Sequence, residues 1–228
     1  MDLRGLFDQV LQSGKELAQQ GKDYVVEKVN LPEEGPERDE ALSTMGKAAA
    51  AGGALALLLG TRGGRRVGKA ALKLGSLAAL GGLAYKVYKD YSAKQSGAPM
   101  DVGASIEHLE GPAANLRVEN LLRAMVAAAR ADGMIDPQER ERLERQMQAM
   151  GVADGLSQTI RRILDESTDP ESIARLAGSP AEAAELYLAS LVVMDNDSPL
   201  EQTYLDRLAK ALRLPSEVTN QLTAQAMS

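Results

Sequence analysis

The sequence predicts an all-α protein with an N-terminal amphipathic helix, a Gly/Ala-rich apolar helical hairpin and a C-terminal domain of seven short helices. Three observations support this fold class. Apolar residues recur at helical spacing, no stretch alternates as a strand would, and a capping residue precedes proline four times in the C-terminal half. The predicted divisions are an amphipathic helix at 1–30, an acidic linker at 31–44, a hairpin at 45–91, a linker at 92–114 and the helical domain at 115–228.

The N-terminal helix is predicted from a thin heptad seam. Leu3, Phe7, Val10 and Leu17 belong to it, but glycine and lysine occupy other seam positions, which indicates a helix that depends on a partner or a membrane surface. The first residues lack the basic and apolar regions of a signal peptide, so none is expected. The linker at 31–44 is rich in glutamate and proline and is expected to be solvated.

The hairpin is predicted from charge and glycine content. Residues 45–100 carry a net charge of +8, whereas 1–44 carry −5 and 101–228 carry −9. Two uncharged runs, 48–61 and 74–85, flank an arginine-rich turn, and lysines and tyrosines follow, as at a lipid interface. A flexible linker is the alternative. The residues expected to contact anionic lipid are Arg62, Arg65, Arg66, Lys69, Lys73, Tyr85, Lys86, Tyr88, Lys89 and Tyr91.

Glycine spacing in the hairpin predicts close helix packing. Glycines recur four or seven residues apart, and small residues in such stripes let helix backbones approach in lipid. This spacing also favours homo-oligomers formed through the hairpin. The packing positions are Gly60, Gly64, Gly68, Gly75 and Gly82.

Helix starts organise the C-terminal domain. Asp136, Asp169, Ser179 and Ser198 each precede a proline, and three of these motifs include the distal glutamate of a capping box. Residues 181–211 echo residues 116–150, which predicts a pseudo-repeat of two helical hairpins. The predicted helices span 115–131, 137–150, 156–166, 170–177, 180–194, 199–213 and 216–226.

Two segments of this domain resemble a known family. Residues 127–139, which contain the turn Asp132-Gly-Met-Ile-Asp136-Pro-Gln-Glu139, and residues 200–209 resemble the TerB-like (tellurite-resistance) helical domain. Together with the hairpin, the chain resembles YebE-like bacterial inner-membrane proteins, a family of unknown function. The resemblance implies an all-helical fold, a membrane setting and a link to metal or envelope stress, but no reaction.

The acidic turns of the domain carry a cation-binding hypothesis. Carboxylate oxygens suit Ca²⁺, Mg²⁺ or Mn²⁺, and the resemblance to TerB-like domains implies a cation at such acids. Helix capping already accounts for several of them, however, so no cofactor is certain. The hypothetical ligands are Asp132, Asp136, Glu139, Asp195, Asp197 and Glu201.

Composition argues against an enzyme. The chain has no cysteine and no tryptophan, one phenylalanine, and His108 as its only histidine, in a linker where it is expected to be solvated. This excludes thiol nucleophiles and thiolate zinc sites, and makes a catalytic triad or an aromatic-lined cofactor pocket improbable. The cationic segment lacks the stacking platform of a nucleic-acid site.

The function predicted is therefore that of a membrane-associated, non-enzymatic adaptor or sensor. It would bind anionic lipid at the bacterial inner membrane and display its acidic domain to the cytoplasm and to an unidentified protein partner. The alternative is a soluble stress module that binds a divalent cation through the acidic turns.

Overall fold

A computed structural model describes residues 2–6, 8, 77–96, 101–131, 140–141, 144–145, 147, 154–194 and 198–227. Within these ranges the regular structure is helical and no strand occurs, which confirms the all-α prediction. Residues 3–6 and the described residues of 140–147 are also helical. The helices are α1 (Leu77–Ser96), a 3-10 turn (Ile106–His108), α2 (Gly111–Ala129), α3 (Asp154–Leu164), α4 (Pro170–Ala174), α5 (Pro180–Leu191), α6 (Pro199–Ala211) and α7 (Ser216–Met227).

Three predicted caps begin helices in the structure. The backbone N–H of Ser172 donates to the carboxylate of Asp169 at 2.8 Å, and α4 begins there. Ser179 accepts from the N–H of Glu182 to begin α5, and Ser198 accepts from the N–H of Leu200 to begin α6. The predicted cap at Asp136 lies outside the described residues. Helix starts are thus fixed by local side-chain chemistry.

Helix α5 forms the centre of the core. It packs against α1, α2, α6 and α7, and its residues from Ala183 to Leu191 are all buried. Small residues such as Ala184 and Ala189, both fully buried, let the neighbouring helices approach its backbone closely. The contact between α5 and α2 joins the first helices of the two halves of the predicted pseudo-repeat.

Helix α1 belongs to this core. Leu80, Ala84 and Val87 lie on one face of α1 and are at most 5% exposed, and the helix packs against α5 and α7. The sequence analysis had placed residues 77–91 with the hairpin and 92–96 in a linker. The structure differs because the small residues of α1 fit closely against α5, which buries an apolar face in protein.

The helices described do not include one that meets the length and hydropathy required to cross a bilayer. α1 has 20 residues, which is enough length, but Lys86, Lys89, Asp90 and Lys94 interrupt its apolar character. The first predicted apolar run, 48–61, lies outside the described residues.

Candidate functional site

A buried ion-pair cluster fixes the N-terminal part of α5. Arg117 of α2 donates to Glu185 and to Glu182, each at 2.6 Å, and the Glu185 side chain is fully buried. Arg117 also donates to the carbonyl of Ala104, and Glu185 accepts from the backbone N–H of Ile106 at 3.0 Å. The cluster therefore ties the segment at 101–110 to α2 and α5.

Burial raises the pKa of Glu185, while the charge of Arg117 and the N–H of Ile106 act in the opposite direction. Arg117 and the N–H of Ile106 bind this carboxylate, and the segment 101–110 covers it. The arrangement suits a structural role, because a catalytic acid needs access to a substrate.

The close approach in α1 occurs at Gly81. A Cβ placed there would clash with Cγ2 of Ile106, whereas one at Gly82 would meet only the Glu107 carboxylate, at 3.3 Å. Gly82 was predicted as a packing position and Gly81 was not. The adjacent glycines in an apolar helix were the available signal, but spacing alone did not show which one faces the protein.

The predicted lipid-contacting residues of α1 divide between two faces. Tyr88 and Tyr91 pack partly against the core, with ring centroids 6.0 Å apart in an edge-to-face arrangement. Lys86 and Lys89 are exposed, and the Lys89 ammonium lies 5.5 Å from the Tyr85 ring centroid. Lys86 and Lys89 therefore lie on the outward side of α1, together with the exposed Asp90.

The other predicted site residues are mostly outside the described part of the chain. This applies to the glycines and basic residues before α1 and to five of the six acids, while Glu201 lies in the first turn of α6. Within the described ranges, no three acidic or histidine side chains come together as a metal site. The residues outside are Gly60, Arg62, Gly64, Arg65, Arg66, Gly68, Lys69, Lys73, Gly75, Asp132, Asp136, Glu139, Asp195 and Asp197.

A groove of about 650 Å³ lies where α1, α4, α5 and α6 meet. Tyr88 of α1 forms one part, and alanines from three other segments form much of the apolar lining. Arg175 and Arg213 also line it, and both residues are exposed. The alanines are Ala174, Ala177, Ala183 and Ala211.

Glu171 also lines the groove, but its charge is matched. Arg207 donates to both of its oxygens, with the shortest separation 2.8 Å. Such a forked pair leaves Arg175 and Arg213 to set the charge of the groove. The groove is thus positively charged, although residues 101–228 carry a net charge of −9.

Arg213 has an unusual backbone conformation. Its φ is +55°, and it is the non-glycine residue with positive φ in the described part of the chain. The N–H groups of Arg213 and Leu214 donate to the carbonyls of Lys210 and Ala209, the pattern of a Schellman motif at the end of α6. Glycine usually occupies this position because a Cβ is disfavoured there.

Comparison with known proteins places the chain in a family. Residues 44–226 match the profile of a family described as "Protein of unknown function (DUF533)". The chain belongs to the DUF533 family. The matched region includes the described helices α1 to α6 and most of α7, together with the groove and the buried ion-pair cluster.

A relative of this DUF533 protein is the "Uncharacterized protein in ampR 5'region" of Yersinia enterocolitica. It is 36% identical over 102 residues, which cover 45% of this chain and 73% of the relative. No solved structure matches the chain. The finer resemblance to YebE-like and TerB-like proteins stays a prediction.

Proposed function

We propose that this DUF533 protein is a membrane-associated, non-enzymatic adaptor or sensor. In this proposal the cationic segment 45–100 binds anionic lipid at the bacterial inner membrane, and the acidic helical domain faces the cytoplasm and a protein partner. The observation that carries the proposal is the orientation of α1. Its face with Leu80, Ala84 and Val87 is buried, and Lys86 and Lys89 are exposed.

Charge separation supports this orientation. Each basic residue near an anionic membrane contributes about 1 kcal/mol of attraction, and acidic residues are repelled. The segment 45–100 carries +8 and residues 101–228 carry −9. An anionic surface would therefore attract the segment 45–100 and repel much of the domain at 101–228.

Packing of α1 supports an adaptor or sensor role. α1 contacts both α5 and α7, and the N–H of Leu3 donates to the Asn115 side chain at 2.8 Å, which connects the N-terminal turn to α2. A contact made at α1 would thus act on the same body that carries the acidic surface. A link to envelope or metal stress belongs to this proposal, as does oligomer formation through the glycine-rich segment.

Vesicle flotation tests the proposal. The full chain should float with vesicles of phosphatidylcholine and phosphatidylglycerol and far less with phosphatidylcholine alone. Replacing Lys86 and Lys89 together by Gln should weaken this binding roughly 10- to 30-fold, because about 1 kcal/mol is lost for each charge. A control pair, Arg145→Gln with Lys210→Gln, removes two exposed charges from other helical segments.

Two results would contradict the proposal. The full chain would remain in the unbound fraction with both vesicle types, or the control pair would lose as much binding as the α1 pair. The melting temperature of each variant, measured in parallel, shows that the substitutions leave the fold intact.

A further inference from the structure

We infer that the groove between α1, α4, α5 and α6 binds a lipid-like anion, with an alkyl chain along the apolar lining and a phosphate or carboxylate at Arg175 and Arg213. At about 650 Å³ the groove falls within the size range of ligand sites in proteins. The inference concerns a single bound molecule rather than a membrane surface. It does not depend on Lys86, Lys89 or residues 45–76, so it stands or fails independently of the proposed function.

The two groove arginines differ from the other arginines of the described residues. Seven of those form ion pairs with carboxylates, and Arg4 and Arg130 donate to backbone carbonyls. Arg175 donates to the Ser172 hydroxyl at 2.6 Å, and Arg213 has no side-chain partner within the described ranges. The ion-paired arginines are Arg117, Arg123, Arg140, Arg145, Arg161, Arg162 and Arg207.

A guanidinium group without a carboxylate partner is well suited to bind an external anion, because its planar donors match carboxylate and phosphate oxygens. Arg175 and Arg213 both line the groove, whereas the neighbouring Glu171 is already bound by Arg207. The two described arginines that lack an ion pair or a backbone carbonyl partner therefore both line this groove, and the charge of Arg175 also acts on Asp169.

The backbone of Arg213 is a second, independent observation. At the left-handed position of a Schellman motif, glycine is the favoured residue, and an arginine there is strained. Residues held in strained conformations occur preferentially at functional sites. The strain is explained if the Arg213 side chain is needed at the groove.

The lining favours an alkyl chain over a peptide. A bound peptide needs partners for its backbone polar groups. The N–H of Gly178 already donates to Glu182 at 2.8 Å, and Ser179 accepts from the N–H of Glu182. An alkyl chain needs no hydrogen bonds and gains by covering Ala177, Ala211 and Leu214.

Isothermal titration calorimetry with the full chain tests the inference. The probe is decyl phosphate below its micelle concentration, compared with inorganic phosphate and with decyltrimethylammonium. We expect saturable binding of decyl phosphate and at least tenfold weaker binding of the other two. Equal binding of inorganic phosphate would overturn the lipid assignment, and equal binding of the cation would overturn the role of the arginines.

Arg213→Gly separates a ligand role from a structural one. It should weaken decyl phosphate binding at least tenfold, because an arginine contact is lost, and raise the melting temperature by about 2–4 °C, because glycine relieves the strained position. Lys210→Gln, one turn earlier on α6 and outside the lining, is the matched control and should leave the affinity unchanged. Ala211→Leu should also reduce binding by filling the groove. Unchanged affinity in Arg213→Gly would overturn the inference.

Discussion

Arginines lie in two different settings near the first turns of α5. Arg117 is buried, and its charge is matched by Glu182 and Glu185. Arg175 and Arg213 are exposed in the groove that Ser179 and Pro180 help to line, and neither forms an ion pair within the described residues. The comparison contrasts charge buried among carboxylates, which supports the fold, with charge at an open groove, where we infer that it binds a ligand.

The largest expected effect comes from breaking the buried cluster. Arg117→Met leaves the fully buried Glu185 carboxylate without its cation and should lower the free energy of unfolding by about 3–5 kcal/mol. Urea denaturation followed by circular dichroism measures this loss. The corresponding change at the groove, Arg213→Gln, should leave the free energy of unfolding within about 0.5 kcal/mol of the wild-type value, as is usual for substitutions at the surface.

The double variant Arg117→Met with Glu185→Gln provides the control. Because the amide carries no charge, the double variant should be more stable than Arg117→Met alone. Burial raises the pKa of Glu185 above its ordinary 4.5. The folded state therefore binds this proton more tightly than the unfolded state does, and stability falls as the pH rises. The loss in Arg117→Met should therefore shrink as the pH is lowered toward 4.5. A loss independent of pH and of Glu185 would show that the charge pair is not the cause.

A smaller effect on stability is expected at Gly81, where α1 packs against the segment 101–110. Gly81→Ala would place a methyl group against the buried Ile106 and should cost about 1–3 kcal/mol. Gly82→Ala meets only a flexible glutamate and should be neutral or stabilise by about 0.5–1 kcal/mol through better helix propensity. Thermal unfolding of both variants measures the difference, and equal effects would contradict the orientation of α1.

A smaller loss of stability than at Gly81 is expected in α4, the helix that ends beside the groove. Asp169 caps α4, which precedes Arg175, and Asp169→Ala should cost about 1 kcal/mol. Hydrogen bonds from the Ser167 hydroxyl and from Ser172 lower the pKa of Asp169 from its ordinary 3.8. Its stabilisation is therefore present above pH 3.8 and is lost as the pH falls below it. Acid unfolding should separate wild type from Asp169→Ala above pH 3.8 and bring them together at lower pH.

Local chemistry could be predicted from the sequence, and long-range packing could not. Asp169, Ser179 and Ser198 begin helices where expected, because a cap and the following proline act within one turn. The membership of α1 in the core was missed, because its close fit depends on α5, about a hundred residues away.

The groove was also missed, because Tyr88, Arg175 and Arg213 come from three distant segments that only tertiary packing brings together. One local signal was present. Arg213 follows α6 directly and precedes Leu214 and Pro215, at a helix end where glycine would be expected.

Deletion of residues 45–76 tests the central claim of membrane association most directly, since it removes most of the cationic, glycine-rich segment and leaves α1 whole. In flotation with phosphatidylglycerol-containing vesicles, we predict that the full chain floats. The deletion variant should float much less while keeping its melting temperature. Equal flotation of the two proteins, or no flotation of the full chain, would contradict the account.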